Sequence, residues 1–154
     1  MKKSVLMTIL FSLIVAGALL SINLYFSYPK DFRTFASNKL EIPLDFNDRN
    51  QYHAANIQIE NGDLLNLTPR KIPLLKDQKI TVYSKMDPAA AGGLYLSMIN
   101  QSKLFNKTEI PVYEGRFGIE IEQEIIVPED GNYSFYFIGG NSHTVILDEF
   151  VITQ

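Results

Sequence analysis

The sequence predicts an all-β fold, an antiparallel β-sandwich, preceded by one N-terminal transmembrane helix. Three observations predict it. The 154-residue chain begins with an apolar run, residues 4–28, that carries no charge. Further along, apolar and polar side chains alternate with a period of two, which is typical of strands with one face in a core and the other in water. No apolar pattern of helical period and convincing length follows the uncharged run.

Residues 4–28 are expected to cross a lipid bilayer as a membrane anchor. A helix rises about 1.5 Å per residue, so a run of roughly 25 residues exceeds the ~20 that a span needs. Lys2 and Lys3 precede the run, and Pro29 ends it. Because lysines stay on the cytoplasmic side of a span, we expect residues 1–3 in the cytoplasm and everything after the anchor outside the cell membrane.

A cleaved signal peptide is the alternative interpretation of this segment. Residues 5–15 would form its apolar region, and Ala16-Gly17-Ala18 would supply the small residues of a cleavage site. Cleavage there would leave an exposed apolar start at residues 22–28, which favours the anchor. The protein is then a single-pass membrane protein with an extracytoplasmic C-terminal domain, or it is secreted if the segment is cleaved.

The rest of the chain is predicted to form a short stalk, residues 29–39, and one β-sandwich domain, residues 40–154. The whole chain has a formal charge of −3, and its only charged side chains before Pro29 are two lysines, so the remainder carries −5. This acidic balance argues against nucleic acid as a partner. The absence of cysteine excludes disulfides, thiolate metal sites and a cysteine nucleophile.

Alternating segments separated by turn residues predict the strands in order. Gly, Pro, Asn and Asp cluster between them, as at Asn61-Gly62-Asp63 and Gly139-Gly140-Asn141. The segment 101–115 is predicted to be a long connection between two strands. Short strands at this spacing favour an antiparallel sandwich, most simply a jelly roll. The predicted strands are 55–60, 64–67, 79–84, 94–98, 117–127, 132–138 and 144–152.

The order of motifs in the C-terminal part resembles a known family. Ile72-Pro73-Leu74 leads into the strand 79–84, Pro128-Glu129-Asp130-Gly131 precedes 132–135, and the chain closes on Leu147-Asp148-Glu149-Phe150. This order is similar to the galactose-binding-like jelly roll of many carbohydrate-binding modules, over about residues 55–154. The resemblance implies a β-sandwich and carbohydrate binding. It also implies a structural calcium ion held by the final-strand acid, here Asp148, together with main-chain oxygens.

The outward side chains of the alternating strands are the candidate ligand-binding residues. Aromatic faces stack on the apolar side of a sugar, and carboxylates accept hydrogen bonds from hydroxyls, so rings and acids on one sheet face would suit a glycan. In the alternative, the tyrosines form ordinary cross-strand pairs and the glutamates are a solvated stripe. The candidates are Tyr83, Tyr95, Glu120, Glu122 and Tyr136.

Two further sets of candidate residues also have a non-functional interpretation. Asp148 and Glu149 supply the hard oxygen ligands that calcium prefers, or they form local hydrogen bonds at the end of a strand. His53 and His143 lack the neighbouring base, acid and oxyanion donors that nucleophilic catalysis requires. The sequence therefore predicts no enzyme and no cofactor beyond calcium. It predicts a non-catalytic binding domain for cell-envelope carbohydrate, or a protein-interaction subunit of a membrane-protein complex in the envelope.

Overall fold

The computed structural model describes residues 2–25, 38–60, 62–86, 93–103, 107–116, 120–139 and 144–154. Most of the predicted stalk, the first three residues of the predicted strand 117–127, and His143 lie outside these residues. The described part contains one helix and eleven strands: α1 (Lys2–Tyr25), β1 (Asn38–Glu41), β2 (Asp45–Asn47), β3 (Gln51–Ile59), β4 (Asp63–Asn66), β5 (Ile72–Leu74), β6 (Lys79–Met86), β7 (Gly93–Asn100), β8 (Glu109–Arg116), β9 (Glu120–Ile126), β10 (Gly131–Gly139) and β11 (Val145–Thr153).

The strands form two sheets, as the sequence predicts. In the first sheet the order is β1-β4-β10-β7-β8, and β5 pairs with β10 as well; in the second sheet the order is β2-β3-β11-β6-β9. The strand pairs are antiparallel except β1 with β4, which is parallel. The prediction of an all-β sandwich is confirmed over these residues.

The main core lies between the two sheets. Alternation in β6 puts Ile80, Val82 and Met86 inside, and β10 contributes Phe135 and Phe137 from the opposite sheet. The rings of Phe137 and Phe150 meet edge to face across the sandwich, with centroids 6.4 Å apart. Because apolar side chains of both sheets are withdrawn from water here, the hydrophobic effect stabilises the pairing of the sheets.

Several elements of the fold differ from the prediction, among them β2, which was not among the predicted strands. The segment 101–115, expected as a connection, contains most of β8, which pairs with β7. β1 begins at Asn38, slightly before the predicted start of the domain. β5, which pairs with β10, was not among the predicted strands. β8 contains Pro111, which has no N–H to donate and is therefore tolerated in edge strands; β8 is at the end of the described first sheet.

Helix α1 exposes its large apolar side chains, from Met7 to Leu20. Its side chains are described over residues 7–21. Among the residues so described, we find no helix that is both long and apolar enough to cross a membrane.

Candidate functional site

The structure divides the five predicted binding residues between the two sheets. Tyr83 lies on β6 and Glu120 and Glu122 lie on β9, all in the second sheet, whereas Tyr95 and Tyr136 lie on β7 and β10 in the first sheet. The five residues therefore do not share one sheet face. The reason is topological: β6 pairs with β9 and β11, while β7 pairs with β8 and β10.

Three of the five do come together on the outer face of the second sheet. Tyr83 is directly opposite Glu122 in register, and Lys85 is opposite Glu120, with its Nζ 4.0 Å from the Glu120 carboxylate. Desolvation raises the pKa of the Tyr83 hydroxyl above its ordinary value, and the nearby Glu120 and Glu149 carboxylates raise it further. This face is polar and ion-paired, and its role in ligand binding stays a prediction.

Tyr95 and Tyr136 belong to an apolar cluster on the outer face of the first sheet. Tyr136 is 2% exposed and packs with Leu64, Ile99 and Ile138, and Tyr95 packs against this group. The Tyr136 hydroxyl accepts a hydrogen bond from Gln101 Nε2 at 3.1 Å. The Tyr136 ring is thus covered in this structure, so it is not displayed as a surface on which a sugar could stack.

Asp148, the predicted calcium ligand, lies at an irregularity of β11. The register between β11 and β6 shifts between Leu147 and Glu149, and Asp148 itself is half-buried. Glu149 lies 3.7 Å from His53 Nε2. Nowhere in the described ranges do three or more potential metal-ligating side chains gather. A calcium site built mainly from main-chain oxygens around Asp148 stays a prediction.

A cleft that sequence reasoning missed opens where the β1–β2 connection passes between the two sheets. It has a volume of about 370 Å³, within the usual ~300–1,000 Å³ of ligand pockets. We call it the β2–β5 cleft, after the strands that bound it. It is lined by Pro43, Leu44, Asp45, Phe46, Tyr52, Thr68, Arg70 and Ile72.

Two aromatic rings form one wall of the β2–β5 cleft. Phe46 of β2 and Tyr52 of β3 are directly opposite in register, with ring centroids 4.7 Å apart and planes inclined by 50°. Tyr52 packs against the main core, whereas Phe46 is 57% exposed. Because Tyr52 is held by the core, it fixes an exposed aromatic surface at the mouth of the cleft.

The connection between β4 and β5 also lines the cleft, through Thr68 and Arg70. Thr68 is buried there, and its Oγ1 accepts a hydrogen bond from the Phe135 N–H at 2.7 Å, while its own N–H donates to Asn66 Oδ1 at 3.2 Å. Leu67 N–H donates to the Phe135 carbonyl at 2.9 Å. These bonds tie the connection to β10 and so position Arg70, which is exposed.

Side-chain alternation separates the acid of the cleft from its rings. Asp45 is in register with His53, and Phe46 is in register with Tyr52. Successive side chains of a strand point to opposite faces, so Asp45 points to the outer face of the second sheet while Phe46 points toward the cleft. The cleft therefore combines an aromatic surface with a guanidinium donor, which suits a ligand that has both an apolar face and acceptor oxygens.

No family model and no curated protein matches this chain. Solved structures do resemble it. The CBM22-1 and GH10 modules of an endo-1,4-β-D-xylanase from Clostridium thermocellum, solved with xylohexaose, are 15% identical with a TM-score of 0.42; the match covers 53% of this chain and 17% of that one. This chain thus spans about a sixth of the length of that xylanase structure.

Two further solved structures match a larger share of their own length. The C-terminal CBM6 domain of LamC, a marine laminarinase from Zobellia galactanivorans, is 14% identical with a TM-score of 0.44, covering 67% of this chain and 91% of that one. The pre-peptidase C-terminal domain of a collagenase from Bacillus anthracis is 13% identical with a TM-score of 0.40, covering 75% and 93%. At these identities and TM-scores, the likenesses identify no ligand for this chain.

Proposed function

We propose that this chain is a membrane-anchored, non-catalytic binding domain for carbohydrate of the cell envelope, and that the β2–β5 cleft holds the sugar. The observation that carries the proposal is the exposed Phe46 ring, which packs on Tyr52 in a cleft that Arg70 also lines. Sugar rings have an apolar face that stacks on aromatic side chains, and hydroxyls that pair with polar groups around them.

The lining of the cleft favours binding over catalysis. Glycosidases generally use a pair of carboxyl groups placed on either side of the bond that is cleaved. The described lining contains one acid, Asp45, and it points away from the aromatic wall. A cleft of this composition holds a sugar without the acid and base that hydrolysis needs.

Helix α1 supports the anchoring part of the proposal. Residues 4–28 are uncharged, and the side chains of Phe11 and Leu13 are 69% and 65% exposed. Exposed apolar side chains on every side of a helix gain free energy when hydrocarbon covers them. A helix in the bilayer would keep the cleft outside the cell, close to the glycans of the envelope.

The test is a matched pair of alanine substitutions in the full-length chain in detergent micelles. Phe46→Ala removes the exposed ring from the cleft, whereas Leu75→Ala removes an exposed apolar side chain, 68% exposed, that does not line it. Stacking on an aromatic ring is worth about 1 kcal/mol or more, so Phe46→Ala should weaken retention on envelope polysaccharide by roughly fivefold or more.

Leu75→Ala is expected to bind polysaccharide as the wild type does. Circular dichroism should show that both variants keep their strand signal, since Phe46 lies largely outside the core. Wild-type retention in the Phe46→Ala variant would overturn the assignment of the cleft. Failure of the wild-type chain to bind any envelope polysaccharide would overturn the function itself.

A further inference from the structure

Given the proposed function, we infer that the sugar in the β2–β5 cleft is an acidic one, a uronic acid unit of a polysaccharide, whose carboxylate binds to Arg70. This inference names the ligand class of the same cleft and rests on the proposed function.

Arg70 is a cation of an acidic domain for which the described residues supply no ion-pair partner. The residues after the anchor carry a net charge of −5, and several cations lie within ion-pair distance of acids: Lys79 with Glu124, Lys85 with Glu120, and Lys103 with Glu129. Among the described residues, Arg70 has no such ion pair, although it lines the cleft and is exposed.

Lysines add positive charge next to Arg70. Lys71 follows Arg70 directly and is exposed. Burial lowers the pKa of the Lys107 amino group, and the charge of Lys71 lowers it further, which indicates that Lys71 and Lys107 repel each other. Lys71 therefore adds one positive charge adjacent to Arg70 in the sequence, although neither Lys71 nor Lys107 lines the cleft itself.

The acid in the cleft lining does not oppose such a ligand. Asp45 is in register with His53 on the outer face of the second sheet, whereas Phe46 and Tyr52 point to the cleft. The larger group of described acids, Glu120, Glu122 and Glu124, alternates along β9 at the opposite edge of that sheet. The cleft, bounded by β2, thus lies at the edge of the second sheet away from these three glutamates.

The Phe46 ring and the Arg70 charge line the same small cleft, which favours a uronic acid over a phosphodiester polymer as the ligand. The planar guanidinium fork pairs with a carboxylate through two parallel hydrogen bonds. In a uronic acid, the carboxylate is attached directly to the sugar ring, so one unit places its ring on Phe46 and its charge beside Arg70. Phosphodiester polymers carry their charge between units, where it does not accompany a stacked ring.

The test compares acidic polysaccharides with their carboxyl-reduced forms. Polygalacturonate and alginate are titrated against the full-length chain in detergent micelles, each beside a carboxyl-reduced preparation in which the same rings carry a hydroxymethyl group. A charge-assisted hydrogen bond that is lost corresponds to about tenfold in affinity, so at least one acidic polymer should bind about tenfold more tightly than its reduced form. Between about 0.01 M and 0.15 M salt this preference should shrink, as screening increases.

Arg70→Gln should equalise the affinities for the acidic and reduced forms. The matched control is Arg49→Gln, which removes the same charge from the exposed turn between β2 and β3 and should leave the preference unchanged. A wild-type chain that binds both forms equally, with both lost in Phe46→Ala, would overturn the acidic ligand and leave the carbohydrate cleft intact. If neither acidic polymer binds, the inference fails; if other envelope glycans bind through Phe46, the proposed function still stands.

Discussion

At Gly131 the fold depends on the absence of a side chain. An added Cβ would overlap the side chain of Asn100, which is fully buried. The Asn100 amide donates to Glu129 Oε1 at 3.1 Å and to the Asp130 carbonyl at 3.2 Å, and its Oδ1 accepts from the Ser102 N–H at 3.0 Å. Asn100 therefore cannot move aside without leaving buried polar groups unpaired.

Replacing Gly131 with alanine is expected to lower the free energy of unfolding by about 1–3 kcal/mol, the usual cost of an unpaired buried polar group. Urea denaturation of the full-length chain in detergent measures this loss. Gly17→Ala is the control, because nothing lies within 4 Å of the Cβ that it adds, and the sandwich should unfold at the wild-type midpoint. An unchanged midpoint for Gly131→Ala would mean that Asn100 rearranges without cost.

Single residues also show what the sequence could not predict about the site. Period-two alternation indicated that Tyr83 and Glu122 point outward from their strands, but it could not show that the two lie opposite each other, because the pairing of β6 with β9 joins distant segments. It could not show that Tyr136 is covered on its outer face. Nor could it identify Phe46, whose exposure depends on β2 being a strand of three residues at the edge of the second sheet.

At the scale of elements, local pattern predicted the strands that have a neighbour on each side. β6 pairs on both edges and buries one face only, so its alternation is clear. β10 also pairs on both edges but is buried on both faces, so it carries no such alternation. β8 was not predicted because Pro111 interrupts its apolar–polar alternation. Proline is tolerated in an edge strand such as this one. The parallel pairing of β1 with β4 is set by contact between distant segments, which a local pattern does not contain.

The Glu129 carboxylate is one of the groups that hold the connection between β9 and β10 to the first sheet. Glu129 Oε1 accepts hydrogen bonds from Asn100 at 3.1 Å and from Thr108 Oγ1 at 3.0 Å, and Glu129 also pairs with Lys103. The hydrogen bond from Lys103 holds the pKa of the Glu129 carboxyl below its ordinary value; burial opposes this effect, and the bonds from Thr108 and Asn100 add to it. The carboxylate form is therefore favoured in the folded state.

This lowered pKa predicts part of the acid sensitivity of the fold. The unfolded state, with a glutamate pKa of about 4.3, takes up its proton first as the pH falls. The stabilisation by Glu129 is thus complete above that value and is lost as the pH falls through the lower folded-state pKa. Glu129→Gln should be less stable than the wild type near neutral pH and should lose less stability on acidification to about pH 3.

Urea unfolding at both pH values measures the acid sensitivity of the two chains. Glu114→Gln, which neutralises an exposed glutamate of β8, should keep the wild-type sensitivity. If Glu129→Gln and the wild type lost equal stability on acidification, the contacts of Glu129 would not contribute to the pH dependence.

At the scale of the whole molecule, charge and apolar surface are separated along the chain. All 17 acids follow residue 30, and the large exposed apolar side chains are concentrated in α1. Exposed apolar surface of this extent is costly in water, at roughly 25 cal/mol per Å². The arrangement suits a helix surrounded by hydrocarbon and a sandwich surrounded by water.

If α1 is the membrane anchor that we propose, the chain should stay with membranes and resist extraction by alkaline buffer. Arginine at the centre of a span costs about 2.5–3.5 kcal/mol per residue, so Leu10→Arg combined with Ile14→Arg should move most of the protein to the soluble fraction. Leu10→Ile combined with Ile14→Leu keeps the apolar character and should leave the protein in the membrane.

Mass spectrometry of the wild-type chain adds a second readout, because an intact N-terminus is expected on the anchored protein. A chain shortened near Ala18 and found in the soluble exported fraction would contradict the anchor and support a cleaved signal peptide.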